Sequence, residues 1–205
     1  MLKLYGQSKS RASRSLWMLE EIGLEYEHVP VRPHTQSRQA DYLRINPNGH
    51  IPSLDDDGFI LWESLAINIY LAEKYAGAPL WPAEVQDHAR TYQWSLWAAN
   101  EVETRIVSIA KGLSSKSPDQ VAVTSGLEQL AGALGVLEKH LDARTYLLGK
   151  DFTVADINLA STLREPREKG VADIDSIELS PFPNVARWLD LCSDRPASRR
   201  VAALP

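Results

Sequence analysis

The chain has 205 residues, is 44% hydrophobic and carries a formal net charge of −5. That length holds one large domain or two small ones around a sizeable core. Acidic and basic residues are interspersed with no basic tract to track a phosphate backbone, so nucleic acid is excluded as an expected partner.

No stretch approaches the roughly 20 apolar residues that span a bilayer. The first residues form a strand pattern rather than a secretory signal, and a cytoplasmic protein without membrane contact is expected. Cys192 is the sole cysteine, which removes an intramolecular disulfide, a CxxC redox pair and any cysteine-based metal site. Histidines 28, 34, 50, 88 and 140 fall in no HxxxH or HxH spacing, so no metal is assigned.

Leu2 to Tyr5 is a short apolar strand ended by Gly6. A polar loop leads to a helix over Arg11 to Ile22, with Leu16, Leu19 and Ile22 at helical spacing and Gly23 as its left-handed stop. Tyr26 to Val31 alternates as a second strand. After a polar segment, Ile51 to Leu54 and Phe59 to Trp62 flank Asp55, Asp56, Asp57 and Gly58, which is hairpin chemistry. Ser64 opens a helix with Leu65, Ile69, Ala72 and Ala76 on one side and Gly77 beyond its end.

Residues 1–77 therefore read β-α-β-α-β-β-α. Prolines interrupt residues 78–86 as a linker, and residues 87–205 carry helical periodicity only, giving an α/β domain followed by an all-α one. Helices are expected from about Glu84 to Lys111, Pro118 to Leu141, Val154 to Glu168 and Pro183 to Asp194, with a short one near the C-terminus. Thr153 and Asp156 have capping-box spacing, and Ser114 to Ser117 reads as an interhelical loop.

Asn46-Pro47-Asn48-Gly49-His50-Ile51-Pro52, then Leu54, then Trp62-Glu63-Ser64-Leu65-Ala66-Ile67, resembles the paired glutathione-site motifs of the glutathione transferases. Leu148-Gly149 and Phe152-Thr153-Val154-Ala155-Asp156-Ile157 look like that family's capping region, and Asp194-Arg195-Pro196-Ala197 like its closing segment. The resemblance implies a thioredoxin-like N-terminal domain binding glutathione, a helical-bundle domain binding the electrophile, and a homodimer. It also implies a cis bond before Pro52, which turns the main chain of Ile51 toward the tripeptide as in β-augmentation. Ser64 would cap its helix and bind the γ-glutamyl carboxylate, with Glu63 accepting from the glutamyl ammonium. His50 stands where relatives often carry Lys, Arg or Gln near the glycine carboxylate. His34, Gln36 or Arg38 would compensate as a donor.

In this fold the glutathione sulfur lies near the start of the first helix, reached here through Gln7-Ser8-Lys9-Ser10-Arg11-Ala12-Ser13-Arg14. That loop has no Cys and no Tyr, so the sequence resembles the serine-type enzymes. Ser10 is the residue most like the activating serine, Ser8 the next and Ser13 the third; the alternatives are a different loop alignment that puts Gln7 or Lys9 at that site, and Ser10 as a simple helix cap. A free thiol of pKa about 8.5 is only about 3% thiolate at pH 7. Lowering that pKa by about two units raises the thiolate about 25-fold, but basicity falls with it and leaves about a threefold gain. Most of the acceleration must come from holding sulfur and electrophile together. Trp94, Trp97, Asn100, Glu101 and Arg105 lie on the long helix, where such aromatics are more often core.

The expected activity is conjugation of glutathione, as co-substrate, to a small apolar electrophile, a detoxification chemistry. The alternatives are a glutathione-dependent peroxidase or disulfide reductase and a non-catalytic binding module.

Overall fold

A computed structural model describes residues 1–114, 119–164 and 179–205. β1 (Leu2–Tyr5), α1 (Ala12–Ile22) and β2 (Glu27–Val29) form the expected β-α-β unit, with β1 and β2 parallel. A single 3-10 turn, Gln36–Arg38, and the short α2 (Ala40–Leu43) lead to the hairpin of β3 (Ser53–Asp56) and β4 (Phe59–Trp62). Both β1–β3 and β3–β4 are antiparallel, and the strand order is β2-β1-β3-β4. Positive φ at Asp57 and Gly58, 52° and 92°, suits the tight two-residue turn of that hairpin. β2 is shorter than its apolar pattern suggests, because only Glu27 to Val29 find partners on β1.

α3 (Ser64–Leu71) follows β4 and runs into a π-helical turn at Ala72–Ala76. Leu4 and Leu54 of the sheet, Leu16 and Leu19 of α1 and Ile67 and Leu71 of α3 are fully buried together. α1 thus lies between the sheet and the helices that follow. Gly6 makes the close approach possible: at φ 147° a Cβ there would come within 2.6 Å of Ala12 Cβ, so only glycine lets β1 end so near the start of α1.

Among the described residues the remaining helices are α4 (Val85–Trp97), α5 (Thr104–Ser114), α6 (Gln120–His140), α7 (Val154–Arg164), α8 (Pro183–Ser193) and α9 (Pro196–Ala202). The single long helix expected from Glu84 to Lys111 is instead α4 and α5 joined by six π-helical residues, Ala98–Glu103. Hydrophobic spacing does not distinguish a widened turn from an α-turn, since both keep one face apolar. The expected helix start at Pro118, the helix end at Glu168 and the loop residues 115–117 lie outside the described residues.

Asp156 is wholly buried and organises the helical layer. Its carboxylate accepts from the main-chain N–H of Leu147 (2.8 Å) and Thr153 (2.9 Å), the Thr153 hydroxyl (3.1 Å) and Trp188 Nε1 (2.9 Å). Burial pushes its carboxyl above the ordinary range, and the four donors offset only part of that rise. The capping role read from Thr153 and Asp156 is therefore present, and it reaches further than one helix end.

Candidate active site

The expected site residues Ile51, Pro52, His50, Glu63 and Ser64 come together in one cavity of about 800 Å³. The Asn46 to Gly49 run shapes its floor. Asn46 Oδ1 accepts from Asn48 N (3.0 Å), Gly49 N donates to Asn46 O (2.9 Å), and Asn46 Nδ2 donates to His50 O (2.8 Å). Tyr42 Oη also donates to His50 O at 2.7 Å. Two buried donors on one carbonyl hold the backbone immediately before Ile51. The Ile51–Pro52 bond is cis, and β3 starts only at Ser53, so the main-chain groups of Ile51 stand outside the sheet ladder. Gly49, at φ 63°, has no room for a Cβ, which would lie 2.9 Å from Ser37 O and Arg38 Nη1.

On the opposite side, Glu63 sits exposed at φ 74°, ψ 109° between β4 and α3. A non-glycine residue there costs about 1–3 kcal/mol and is held by its surroundings, a pattern concentrated at functional sites. Glu63 rather than Ser64 occupies the cap position, and Ser64 is the first residue of α3. The sharp turn at Glu63 accounts for the shift by one. Ser64 is buried, and its hydroxyl lines the cavity at the positive end of the helix.

Two residues that sequence reasoning used only as landmarks or not at all lie beneath the cavity. Arg14 of α1 is 1% exposed; its Nη1 donates to Glu103 Oε2 at 3.0 Å and lies 3.5 Å from Ser64 Oγ. Arg11 also pairs with Glu103. Burial pushes the Glu103 carboxyl up, but the two guanidiniums outweigh it and hold the group below the usual glutamate range. The π-helical turn is what carries Glu103 toward α1. No spacing in the sequence links an arginine at 14 to a glutamate at 103.

The loop serines occupy different positions. Ser10 Oγ donates to Gln7 O (2.6 Å) and accepts from Ala12 N (3.1 Å), closing the first turn before α1. Ser8 Oγ donates to Pro205 O and lines a separate, smaller pocket. Neither is among the residues lining the large cavity, to which Arg11 just before α1 and Arg14 within it contribute. Of the three loop residues considered as compensating donors, His34 lines the cavity, Gln36 Oε1 accepts from Arg32 N, and Arg38 donates to Asn48 O.

The far wall is helical: Tyr92, Ser95, Leu96 and Ala99 face Leu65, Ala66 and Ile69 of α3. Trp94 and Trp97 do not line it; they pack edge to face at 5.2 Å, and Trp94 also meets His140 at 4.5 Å. Their structural reading holds. Among the described residues no cluster of His, Cys, Asp or Glu is arranged to hold a metal, and no helix is long and apolar enough to cross a membrane.

The fold and the sequence agree with known proteins. The family model of the glutathione S-transferase N-terminal domain matches residues 1–73, and that of the C-terminal domain matches residues 82–196. The chain belongs to the glutathione S-transferase family. Glutathione S-transferase 3 of Zea mays is 37% identical to this transferase over 224 residues, covering 100% of the chain and 95% of the relative. Glutathione S-transferase GstB of Escherichia coli strain K12 is 32% identical over 212 residues, covering 100% and 99%. A glutathione transferase of Burkholderia graminis, whose structure holds two glutathione molecules per subunit, superposes with a TM-score of 0.87 at 28% identity, covering 100% of this chain and 88% of that one.

Proposed function

We propose that this transferase binds glutathione across the cavity and transfers its sulfur to a small apolar electrophile. The observation that carries the reading is the meeting, in one cavity, of Ile51 and Pro52 with Glu63 and Ser64 and with the helical wall of Tyr92, Leu96 and Ala99. The main chain of Ile51 pairs with the cysteinyl unit, and His50 or His34 meets the glycine carboxylate. Ser64 receives the glutamyl carboxylate, with the Arg14 guanidinium behind it, and Glu63 takes the glutamyl ammonium. Residues 1–77 act as the glutathione-binding domain and 87–205 as the domain that presents the electrophile. As the thiolate attacks, a carbon–sulfur bond forms and the electrophile's leaving group departs.

In this reading the Ser10 hydroxyl stabilises the thiolate, exchanging its bond to Gln7 for one to sulfur. A second reading has its own support, because Ser10 Oγ is engaged on both sides while Arg11 lines the cavity: there Arg11 and the start of α1 favour the anion, and Ser10 only caps. The protein works in the cytoplasm as a homodimer, an assembly supported by the exposed apolar side chains Phe59, Ile60 and Trp62 on β4.

Turnover of 1-chloro-2,4-dinitrobenzene, other aryl and alkyl electrophiles, and cumene hydroperoxide in the presence of glutathione tests the activity. Conjugation of at least one carbon electrophile is expected. Glutathione binding by calorimetry with no turnover of any carbon electrophile would overturn the transfer reading, and reduction of the hydroperoxide alone would replace it with a peroxidase.

A further inference from the structure

Behind the β1–α1 loop, away from the glutathione cavity, lies a second pocket of about 220 Å³ between α1, α7 and α9. Its lining combines apolar Trp17, Val201 and Leu204 with polar Lys9, Arg164, Ser13 and Ser198. Among the described residues no carboxylate side chain lines it, and Lys9 and Arg164 bring two cationic side chains to it.

Two of the hydroxyls lining it retain capacity to donate. Ser13 is 9% exposed, and among the described residues its hydroxyl has no hydrogen-bond partner although it lines the pocket. Ser198, 7% exposed, accepts weakly from Arg164 at 3.5 Å, which leaves its own O–H to donate. By contrast Ser8 donates to Pro205 and Ser161 to Asn158 O. Neither Lys9 nor Arg164 has an ion-pair partner among the described residues. Nearly buried hydroxyl donors, two cations and an apolar wall are complementary to one kind of ligand.

We propose that this pocket is a binding site for a small carboxylate with an apolar body, about the size of one ring with its carboxyl group. The carboxylate takes the charge-assisted bonds of Arg164 and Lys9 and the hydroxyls of Ser13 and Ser198. The body lies against Trp17, Val201 and Leu204. Because Ser8 and Lys9 line this pocket while Arg11 lines the larger cavity, the occupant rests on the same loop that carries Ser10, from its other side.

Benzoate is the probe, added to the full chain and followed by calorimetry and by amide chemical-shift perturbation. Saturable binding is expected, with the shifts concentrated at residues 8–17 and 198–204 rather than at 49–52 and 63–66. The double variant Lys9→Gln with Arg164→Gln is expected to bind benzoate about tenfold more weakly or worse, and Ser198→Phe, which fills the pocket, to abolish binding. Amide shifts elsewhere in each variant report that it is folded. Absence of saturable benzoate binding, shifts centred on 49–52 and 63–66, undiminished affinity in the charge variant, or equal affinity for benzyl alcohol would each overturn the proposal.

Discussion

At the level of single residues, the site depends on groups whose neighbours leave them few alternatives. Ser10 illustrates the two readings of thiol activation. If its hydroxyl meets the sulfur, Ser10→Ala should lower kcat/KM for 1-chloro-2,4-dinitrobenzene by about 10- to 100-fold, the loss of one well-placed donor, and raise the pKa of bound glutathione toward that of the free thiol. Thiolate absorbance of the binary complex against pH measures this. An unchanged thiol pKa in Ser10→Ala, with a raised one in Arg11→Ala, would assign activation to the arginine.

Glu103 makes the residue scale testable by pH. Its folded-state pKa is held below the usual value by Arg14 and Arg11, so it binds a proton less readily in the folded chain than in the unfolded one. The ion pair's contribution is therefore complete above the unfolded glutamate pKa of about 4.3 and is lost as pH falls through the lower folded value. Urea unfolding should show a steeper loss of stability in that acid window for the parent than for Glu103→Gln. At neutral pH the same substitution should lower the urea midpoint, because Arg14 and Arg11 both lose the carboxylate they pair with.

Among the elements, α7 carries the most. Asp156 ties its start to the Leu147 main chain and to Trp188 of α8, while two positions further Asn158 ties α7 to α4 and α3: its Nδ2 donates to Ser95 Oγ at 2.9 Å and its Oδ1 accepts from Asn68 Nδ2 at 2.9 Å. Asp156→Ala strands two main-chain N–H groups and the Trp188 N–H in a dry interior. The expected loss is about 3 kcal/mol or more, seen as a lower urea midpoint and loss of Trp188 near-UV dichroism. The C-terminal end is fastened similarly, by Arg195 to Glu21, with its guanidinium 3.8 Å from the Phe152 ring centroid, and by Arg200 to Glu20 at 2.7 Å.

For the whole molecule, the continuous hydrophobic core from Leu4 through α1 to Trp188 predicts that the sheet and helical layers unfold in one transition, which coincident fluorescence and far-UV dichroism curves would show. The exposed apolar side chains of β4 predict association. In sedimentation, Phe59→Glu should shift the transferase toward a monomer while leaving its far-UV spectrum unchanged.

Element types were legible from sequence because hydrophobic period, Gly23 and the Asp57-Gly58 turn act over a few residues. The linear spacing of Ile51-Pro52 and Glu63-Ser64 likewise made their joint role readable. What local pattern could not supply was the partner of Arg14, the place of Glu103 on a widened helical turn, or the side of the loop on which Ser8 lies. Those follow from segments nearly 90 to 200 positions apart being packed together. The sequence by itself determined the architecture and the glutathione-type motif, since both are written in short-range chemistry. Only the tertiary structure decided which charges sit under the cavity and which serine hydroxyls are already bonded, because burial and long-range contact set those energies.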